Sequence, residues 1–262
     1  MTTATARSAG ILSGRNMLTK VPEVTLWFWV IKLLTTAMGE GIADYLAEDG
    51  VLGKKLALLL TGGLLAVALL VQLVVRGYRP VIYWTVVAMV GVAGTLIADT
   101  VMQSLGVSPR AATAVFLAVL LACFGLWYLV ERTLSIHSIG TTRRELFYWA
   151  AVMITFALGT AAGDLTAFGQ GWGFRVSIVI YGVFIAVAAL AYRLGVNAVL
   201  TFWAAYVVTR PLGASVADYF GLDALDGLKL GTLPVGLVFL AGVVALVAYM
   251  AVSRKDTPAD QA

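Results

Sequence analysis

The sequence predicts an all-α membrane protein whose eight transmembrane helices form four parallel two-helix repeats. The first observation is composition: 61% of the 262 residues are apolar and only 12% are charged, whereas a soluble domain carries roughly 25% charged residues. The second is a pattern that recurs four times, an aromatic–Trp pair with an Asp fifteen residues after the Trp. Four copies in one register indicate tandem repeats of a single unit.

Each copy of the repeat also carries a Gly five residues before its Asp. The pairs are Phe28-Trp29, Tyr83-Trp84, Tyr148-Trp149 and Phe202-Trp203, the glycines are Gly39, Gly94, Gly159 and Gly213, and the aspartates are Asp44, Asp99, Asp164 and Asp218. Every copy therefore places one carboxylate inside an apolar segment. An ionisable side chain within a membrane span is costly, and it points to a functional site.

The apolar runs predict eight membrane spans, two in each repeat. Their approximate limits are Val24–Leu46, Lys55–Val75, Val81–Met102, Ala111–Val130, Leu146–Phe168, Phe174–Tyr192, Ala198–Phe220 and Leu230–Val252. Each is close to the roughly 20 residues that a helix needs to cross a bilayer. The first span of each repeat contains the Trp and the Asp, and the second is a plain apolar helix. Because the connections are short, we expect neighbouring helices to pack as antiparallel hairpins.

These spans divide the chain into one transmembrane domain, 21–252, between two cytoplasmic tails, 1–20 and 253–262. The predicted repeats within the domain are about 21–76, 77–132, 143–193 and 197–252. The first tail has no apolar core followed by a cleavage site, so we do not expect it to be a signal peptide.

The Lys and Arg residues of the loops predict the orientation of the chain. Eleven lie on the side of the two termini and five on the opposite side, and an excess of Lys and Arg marks the cytoplasmic side. Since each repeat crosses twice, all four enter from the same side and are related by an axis along the membrane normal. This axis is pseudo-fourfold, or pseudo-twofold if the repeats associate in pairs. The Trp residues then fall near the cytoplasmic interface, where aromatic anchors are expected.

Small side chains recur at intervals of four residues in the first helix of each repeat. The four stripes are Thr35, Gly39 and Ala43; Val90, Gly94 and Ala98; Thr155, Gly159 and Gly163; and Thr209, Gly213 and Ala217. Residues four apart share one helix face, and small residues there let helices approach closely in lipid. We therefore predict that the stripe forms the contact between repeats.

Each Asp follows the last residue of its stripe, so it lies about 100° round the helix and is predicted to face a shared interior. The residues four positions earlier, on the same face, are Glu40, Thr95, Thr160 and Ala214. We expect the four aspartates, with Glu40, Thr95 and Thr160, to form a cation-binding site in which the aspartates are the metal ligands. Each Asp is expected near the C-terminal end of its helix. In the alternative interpretation, it only bonds amides of the following loop and fixes the hairpin.

Two cations, Lys32 and Arg210, also fall inside predicted spans and are expected to pair with intramembrane carboxylates. Five carboxylates against two cations leave a formal surplus of three negative charges if all are ionised. Such a surplus must bind cations or hold protons. Glu40 and Arg210 each occur in one repeat only, so we predict that they pair with each other. Pro211 is expected to kink the seventh span.

Several classes of protein do not fit this composition. His137 is the only histidine and Cys123 the only cysteine, which argues against a zinc hydrolase, a haem protein, a Ser-His catalytic centre or an internal disulfide. The chain has no Gly-rich phosphate loop, and its basic residues lie in short loops, so nucleic acid is not an expected partner. We expect neither an enzyme nor a bound cofactor.

The function predicted from these residues is cation transport, by a secondary transporter or channel whose carboxylates bind a divalent metal or a proton. The expected partners are the lipid bilayer and that cation or proton, and a homo-oligomer is compatible with the sequence. The alternative is a membrane scaffold or small-ligand-binding protein that transports nothing, in which the aspartates are structural.

Each copy carries the aromatic–Trp pair, the Gly and the Asp, and it spans the membrane twice. This pattern resembles a bacterial membrane-protein family made of four tandem two-span repeats of unknown function. The resemblance covers about Lys20 to Val252. It implies a multi-pass protein of the bacterial inner membrane and carries over no established activity. The copies have diverged eight residues before the Asp, where they hold Thr36, Gly91, Phe156 and Arg210.

Overall fold

The computed structural model describes residues 18–47 and 52–261 and is helical, with no β-strand in those ranges. Most of the predicted N-terminal tail, 1–20, lies outside them. The described part contains eight long α-helices: α1 Leu26–Ala47, α2 Lys54–Val74, α3 Pro80–Asp99, α4 Pro109–Glu131, α5 Thr142–Asp164, α6 Gly173–Arg193, α7 Ala198–Gly221 and α8 Thr232–Ser253.

Seven of these helices are long and apolar enough to cross a membrane. The exception is α1, because Lys32, Glu40 and Asp44 lower its hydropathy within 22 residues. The expectation of eight spans is therefore supported for α2 to α8. The seventh helix runs through Pro211 as one continuous element.

The first helices of the four repeats pack in a closed ring. Helix α1 contacts α3, α3 contacts α5, α5 contacts α7, and α7 returns to α1. At each contact, the stripe glycine of one helix faces the diverged position of the next. The four contacts are Gly39 with Gly91, Gly94 with Phe156, Gly159 with Arg210, and Gly213 with Thr36. A Cβ added to Gly39 would lie 2.8 Å from the carbonyl carbon of Gly91. The glycines therefore form the predicted contacts between repeats.

The second helices lie outside this ring, and their packing corrects the hairpin prediction. Helix α2 packs mainly against α3, α4 against α5, α6 against α7, and α8 against α1. Each outer helix thus covers the ring helix of the following repeat more than its own. Short connections fix which elements follow each other, but they do not decide which faces pack.

The aromatic–Trp pairs form a second closed cycle, inside the protein. The first aromatic of each pair contacts the Trp of the next repeat, with ring centroids 5.6 Å apart for Phe28 and Trp84, 5.5 Å for Tyr83 and Trp149, 6.2 Å for Tyr148 and Trp203, and 5.7 Å for Phe202 and Trp29. Trp84, Trp149 and Trp203 are buried. The prediction of interface anchors is therefore wrong for Trp84, Trp149 and Trp203, because each packs inside the protein against an aromatic ring of the neighbouring repeat. Trp29 is half-buried.

Two ring helices continue past their Asp. A π-helical turn follows α3 at Thr100–Ser104, and another follows α5 at Leu165–Gly169. Asp99 and Asp164 are the last residues of α3 and α5, and each is followed by five residues of π-helix. The predicted position near the C-terminal end of the α-helix is confirmed for both, and the wider turn keeps the backbone hydrogen-bonded for five residues more.

Both described termini are anchored at the end of the bundle that carries the aromatic cycle, which we call the termini end. Lys20 is buried and donates to the carboxylate of Glu145 at 2.7 Å and to the carbonyl oxygens of Gln72 and Leu73. After α8, the carboxylate of Asp256 accepts a hydrogen bond from the hydroxyl of Tyr78. Burial raises the pKa of the Asp256 carboxyl above its usual value, although this hydrogen bond opposes the shift.

Candidate functional site

One face of each ring helix is directed toward the interior of the ring. In every ring helix this axis face consists of residues spaced by four, since residues four apart lie on the same side of a helix. From the termini end, the axis-face residues are Phe28, Lys32, Thr36, Glu40 and Asp44 on α1; Tyr83, Val87, Gly91, Thr95 and Asp99 on α3; Tyr148, Val152, Phe156, Thr160 and Asp164 on α5; and Phe202, Tyr206, Arg210, Ala214 and Asp218 on α7. All of these residues are buried except Asp164, which is half-buried. The interior is thus built of five layers, from aromatic to acidic.

The four aspartates meet in the last of these layers. They line one cavity of about 300 Å³ together with Glu40. The remaining lining residues come from the segments after α3 and α5, from the start of α4 and from the end of α7: Met102, Gln103, Val107, Pro109, Phe168 and Leu222. Carboxylate oxygens of Glu40, Asp44 and Asp218 all lie within 4.8 Å of one another. The structure therefore brings together the five carboxylates that the sequence singled out.

Beneath the cavity, Arg210 joins all four ring helices. Its guanidinium, on α7, forms a buried ion pair with Glu40 of α1 and donates hydrogen bonds to Thr95 of α3 and, at 2.9 Å, to Thr160 of α5. It also donates to the backbone carbonyl of Thr36 at 3.0 Å. The predicted pair of Glu40 and Arg210 is therefore confirmed. Thr95 also donates to the Glu40 carboxylate at 2.9 Å, so the two threonines belong to this network.

The other predicted counter-charge, Lys32, does not pair with a carboxylate in the described ranges. Its Nζ atom lies 4.0 Å from the ring centroid of Phe156 and 4.5 Å from that of Tyr206, with no hydrogen-bond partner there. The reason is its height on the axis face. Lys32 is eight residues before Glu40, or roughly 12 Å along the helix, and the Arg210 layer lies between them.

The cavity is therefore rich in negative charge. The five carboxylates and the Arg210 guanidinium together carry a formal charge of −4 if all are ionised. Closely packed oxygen ligands of this kind bind hard cations. Toward the termini end, the cavity is followed by the Arg210 network, the Lys32 layer and the aromatic cycle, so the acidic layer lies at one end of the interior.

The comparison with known proteins bears on the repeat unit. Residues 27–78, 82–133, 147–195 and 201–256 each match the family described as "Repeat of Unknown Function (DUF347)". The chain belongs to this family. Each DUF347 repeat begins at its aromatic–Trp pair and holds one ring helix, one Asp of the cavity and one outer helix. No curated protein and no solved structure gives a significant match.

Several residues of the interior were not predicted from the sequence. Phe156 and Tyr206 hold Lys32, and Thr36 contributes its carbonyl oxygen to Arg210. Counting back along the sequence from each Asp in steps of four residues would have found these three positions, because the axis face has the same spacing in every repeat. Met102, Gln103 and Leu222 carry no such signal, since they line the cavity from segments beyond the ring helices.

Proposed function

We propose that this DUF347 protein moves a divalent cation across the membrane, and that the acidic cavity is the site where the ion binds. The observation that carries the proposal is the convergence of one Asp from each repeat, with Glu40, on a single cavity. Carboxylates within a membrane protein usually mark an ion pathway. Rings of carboxylates select cations.

The geometry favours a metal ion over a larger ligand. Three carboxylate oxygens within 4.8 Å of one another, from Glu40, Asp44 and Asp218, match the oxygen ligands that hard divalent ions such as Mg²⁺, Ca²⁺ and Mn²⁺ require. Asp99 and Asp164 stand in the same cavity and can complete a coordination sphere. A proton is the other ion that carboxylates can carry, and it would move without any metal.

The arrangement of the interior supports a gated transporter more than an open pore. The buried aromatic cycle and the Arg210 network lie between the cavity and the termini end. An ion that enters the cavity therefore meets packed side chains before it can leave on the other side. Release there requires the ring helices to shift, as in alternating access.

The proposal includes the placement of the chain in the membrane. Helix α1 crosses with the other seven, because it closes the ring with α3 and α7. The two closed cycles of contacts support a pseudo-fourfold axis along the membrane normal. The excess of basic residues at the termini end supports cytoplasmic termini in a bacterial inner membrane, with the cavity on the outer side.

Ion flux into proteoliposomes tests the proposal. We expect the purified protein to move at least one of Mg²⁺, Ca²⁺ and Mn²⁺, and the double substitution Asp44→Asn with Asp218→Asn to abolish that flux, because it removes two of the three converging carboxylates. Asp223→Asn is the matched control, since Asp223 is an exposed loop carboxylate paired only with Lys229 in the described ranges.

A structural role is the second candidate, and the Arg210 network favours it because one side chain binds all four ring helices. A scaffold would show no flux in the native protein, and each Asp→Asn substitution would lower its melting temperature. Native stability in the Asp44→Asn/Asp218→Asn variant, with flux lost, would support transport. Retained flux in that variant would remove the aspartates from the mechanism.

A further inference from the structure

The residues that follow α8 fold back over the termini end of the ring. Two successive turns, each closed by a backbone hydrogen bond, shape residues 254–261 into a compact segment, which we call the C-terminal strap. Asp256 and Pro258 of the strap are buried. The strap is therefore packed against the bundle, and its contacts decide which helices it holds.

The strap binds the segment that leads into α1. The backbone amide of Glu23 donates to the carbonyl oxygen of Asp256 at 3.0 Å, and the amide of Thr19 donates to the carboxylate of Asp260 at 2.8 Å. The side-chain amide of Gln261 donates in return to the carbonyl oxygen of Thr19. Because α1 begins shortly after Glu23, these bonds tie the strap to the start of a ring helix.

The strap also binds the connection between α2 and α3. The amide of Tyr78 donates to the side-chain oxygen of Gln261 at 3.0 Å, and its hydroxyl donates to the carboxylate of Asp256. The contact is close, since a Cβ on Gly77 would lie 2.6 Å from the same Gln261 oxygen. The ring of Tyr78 packs on Tyr83 of the aromatic cycle, with centroids 5.8 Å apart. The strap thus joins the starts of α1 and α3, which are neighbours in the ring.

The buried carboxyl of Asp256 makes this contact easier to reverse. Burial raises the pKa of the Asp256 carboxyl, and the hydrogen bond from Tyr78 opposes that shift only in part. A raised pKa means that the ionised carboxylate is less stable in the packed strap than in water. Release of the strap returns the carboxylate to water, which offsets part of the hydrogen bonding that is lost.

We propose that the C-terminal strap is a latch that holds the termini end of the ring closed, and that its release allows α1 and α3 to separate there. The inference rests on the proposed transport function and adds a regulatory contact to it. While the strap is bound, an ion in the acidic cavity does not leave toward the termini end. Once the strap is released, the aromatic cycle can open where Phe28 of α1 packs on Trp84 of α3.

The initial rate of ion entry into proteoliposomes tests the latch. Tyr78→Phe removes the hydroxyl that donates to Asp256 and keeps the ring that packs on Tyr83. Loss of a hydrogen bond to a charged group should raise the released fraction, and with it the rate of Mg²⁺, Ca²⁺ or Mn²⁺ entry, by on the order of 10-fold. Tyr249→Phe is the matched control and should leave the rate unchanged, because Tyr249 is exposed and its hydroxyl bonds the exposed Lys255.

Hydrogen–deuterium exchange in detergent measures release of the strap without any transport. The backbone amides of Thr19, Glu23 and Tyr78 donate to the strap, so they should exchange faster in Tyr78→Phe than in the native protein. The amide of Phe174, which donates to Asp226, lies at the opposite end and should keep its native rate. A metal-dependent thermal shift shows whether the cavity of the variant still binds the ion.

A second variant removes the strap altogether. A chain that lacks residues 254–262 should admit ions at a rate at least as high as that of Tyr78→Phe, because no latch remains to be released. If the strap instead supports the active ring, both variants should admit ions more slowly than the native protein.

The outcomes distinguish the latch from the function on which it rests. If no ion enters through the native protein or either variant, the transport proposal itself fails. If the strap amides of Tyr78→Phe exchange faster while ions enter at the native rate, transport stands and the latch is wrong. Slower entry in Tyr78→Phe, or loss of its metal-dependent thermal shift, would also overturn the latch, because the contact would then maintain the fold and not restrain it.

Discussion

At the scale of single residues, the proposed function depends on a few positions at which the four repeats carry different side chains. The position eight residues before each Asp faces the glycine of the neighbouring helix and holds a different side chain in every repeat. In the fourth repeat it is Arg210, which reaches Glu40, Thr95 and Thr160 on the other three ring helices. One guanidinium thereby joins the ring just below the cavity.

The ion pair of Arg210 and Glu40 gives a prediction for stability. We expect Arg210→Gln alone to lower the free energy of unfolding by about 3–5 kcal/mol, because a buried carboxylate loses its partner. The double substitution Glu40→Gln with Arg210→Gln should cost less than the sum of the two single changes. A double-mutant cycle, followed by denaturant unfolding in detergent, measures the coupling.

The matched control for this cycle is the exposed pair of Lys229 and Asp223. Its coupling should fall within about 0–1 kcal/mol, since solvent screens both charges. A coupling below about 0.5 kcal/mol at Glu40 and Arg210 would mean that the two side chains act independently.

Residue patterns predicted part of this arrangement. The uniqueness of Glu40 and of Arg210 was enough to pair them, because a charge inside a span needs a partner. The same reasoning failed for Lys32, which rests against aromatic rings instead. Counting charges cannot decide such a case, since it takes no account of height along the ring axis.

At the scale of helices, the glycines have two different roles. Those of the ring helices are in contact with the neighbouring helix, whereas Gly62, Gly125 and Gly182 of the outer helices have open space where a Cβ would stand. Helix contact and not backbone freedom therefore explains the glycines of the ring.

This difference predicts opposite effects for the same substitution. Gly213→Ala should destabilise the protein by about 1–3 kcal/mol, because the added methyl would overlap the side chain of Thr36 and overpacking forces the helices apart. Gly182→Ala on α6 should be neutral or stabilising by up to about 1 kcal/mol, since alanine is the better helix former and nothing lies within 4 Å. Melting temperatures in one detergent compare the two, and equal effects would contradict the ring contact.

The stripe of small residues predicted which helix faces meet, but the neighbours of the outer helices did not follow from the sequence. Those helices are apolar on most of their surface and largely exposed in the structure, as residues Leu59, Val67 and Leu70 of α2 illustrate. A face that is equally apolar on all sides gives no signal for its partner. The preference for the ring helix of the next repeat is visible only in the structure.

At the scale of the whole molecule, the cavity opens at the end opposite the termini. Gln103 lines it and is exposed, whereas Lys255 is exposed at the termini end. With cytoplasmic termini, these two positions fall on opposite sides of the membrane.

Cysteine labelling in intact bacterial cells checks this orientation. In a Cys123→Ser background, we expect Gln103→Cys to react with a membrane-impermeant maleimide added outside, and Lys255→Cys to react only after permeabilisation. An excess of the transported metal ion should slow labelling at Gln103→Cys, because the ion fills the same cavity. The reverse labelling pattern would invert the topology and place the acidic cavity in the cytoplasm.

The staggered packing of the outer helices has a consequence for how such a ring can be assembled. Helix α4 covers α5 and α8 covers α1, so a chain divided between the second and third repeats would give two halves with complementary ends. Each half would expose one ring helix without its cover and one outer helix without a ring helix to cover. Two such halves complete each other, so gene duplication of a two-repeat ancestor that worked as a dimer would leave the architecture unchanged.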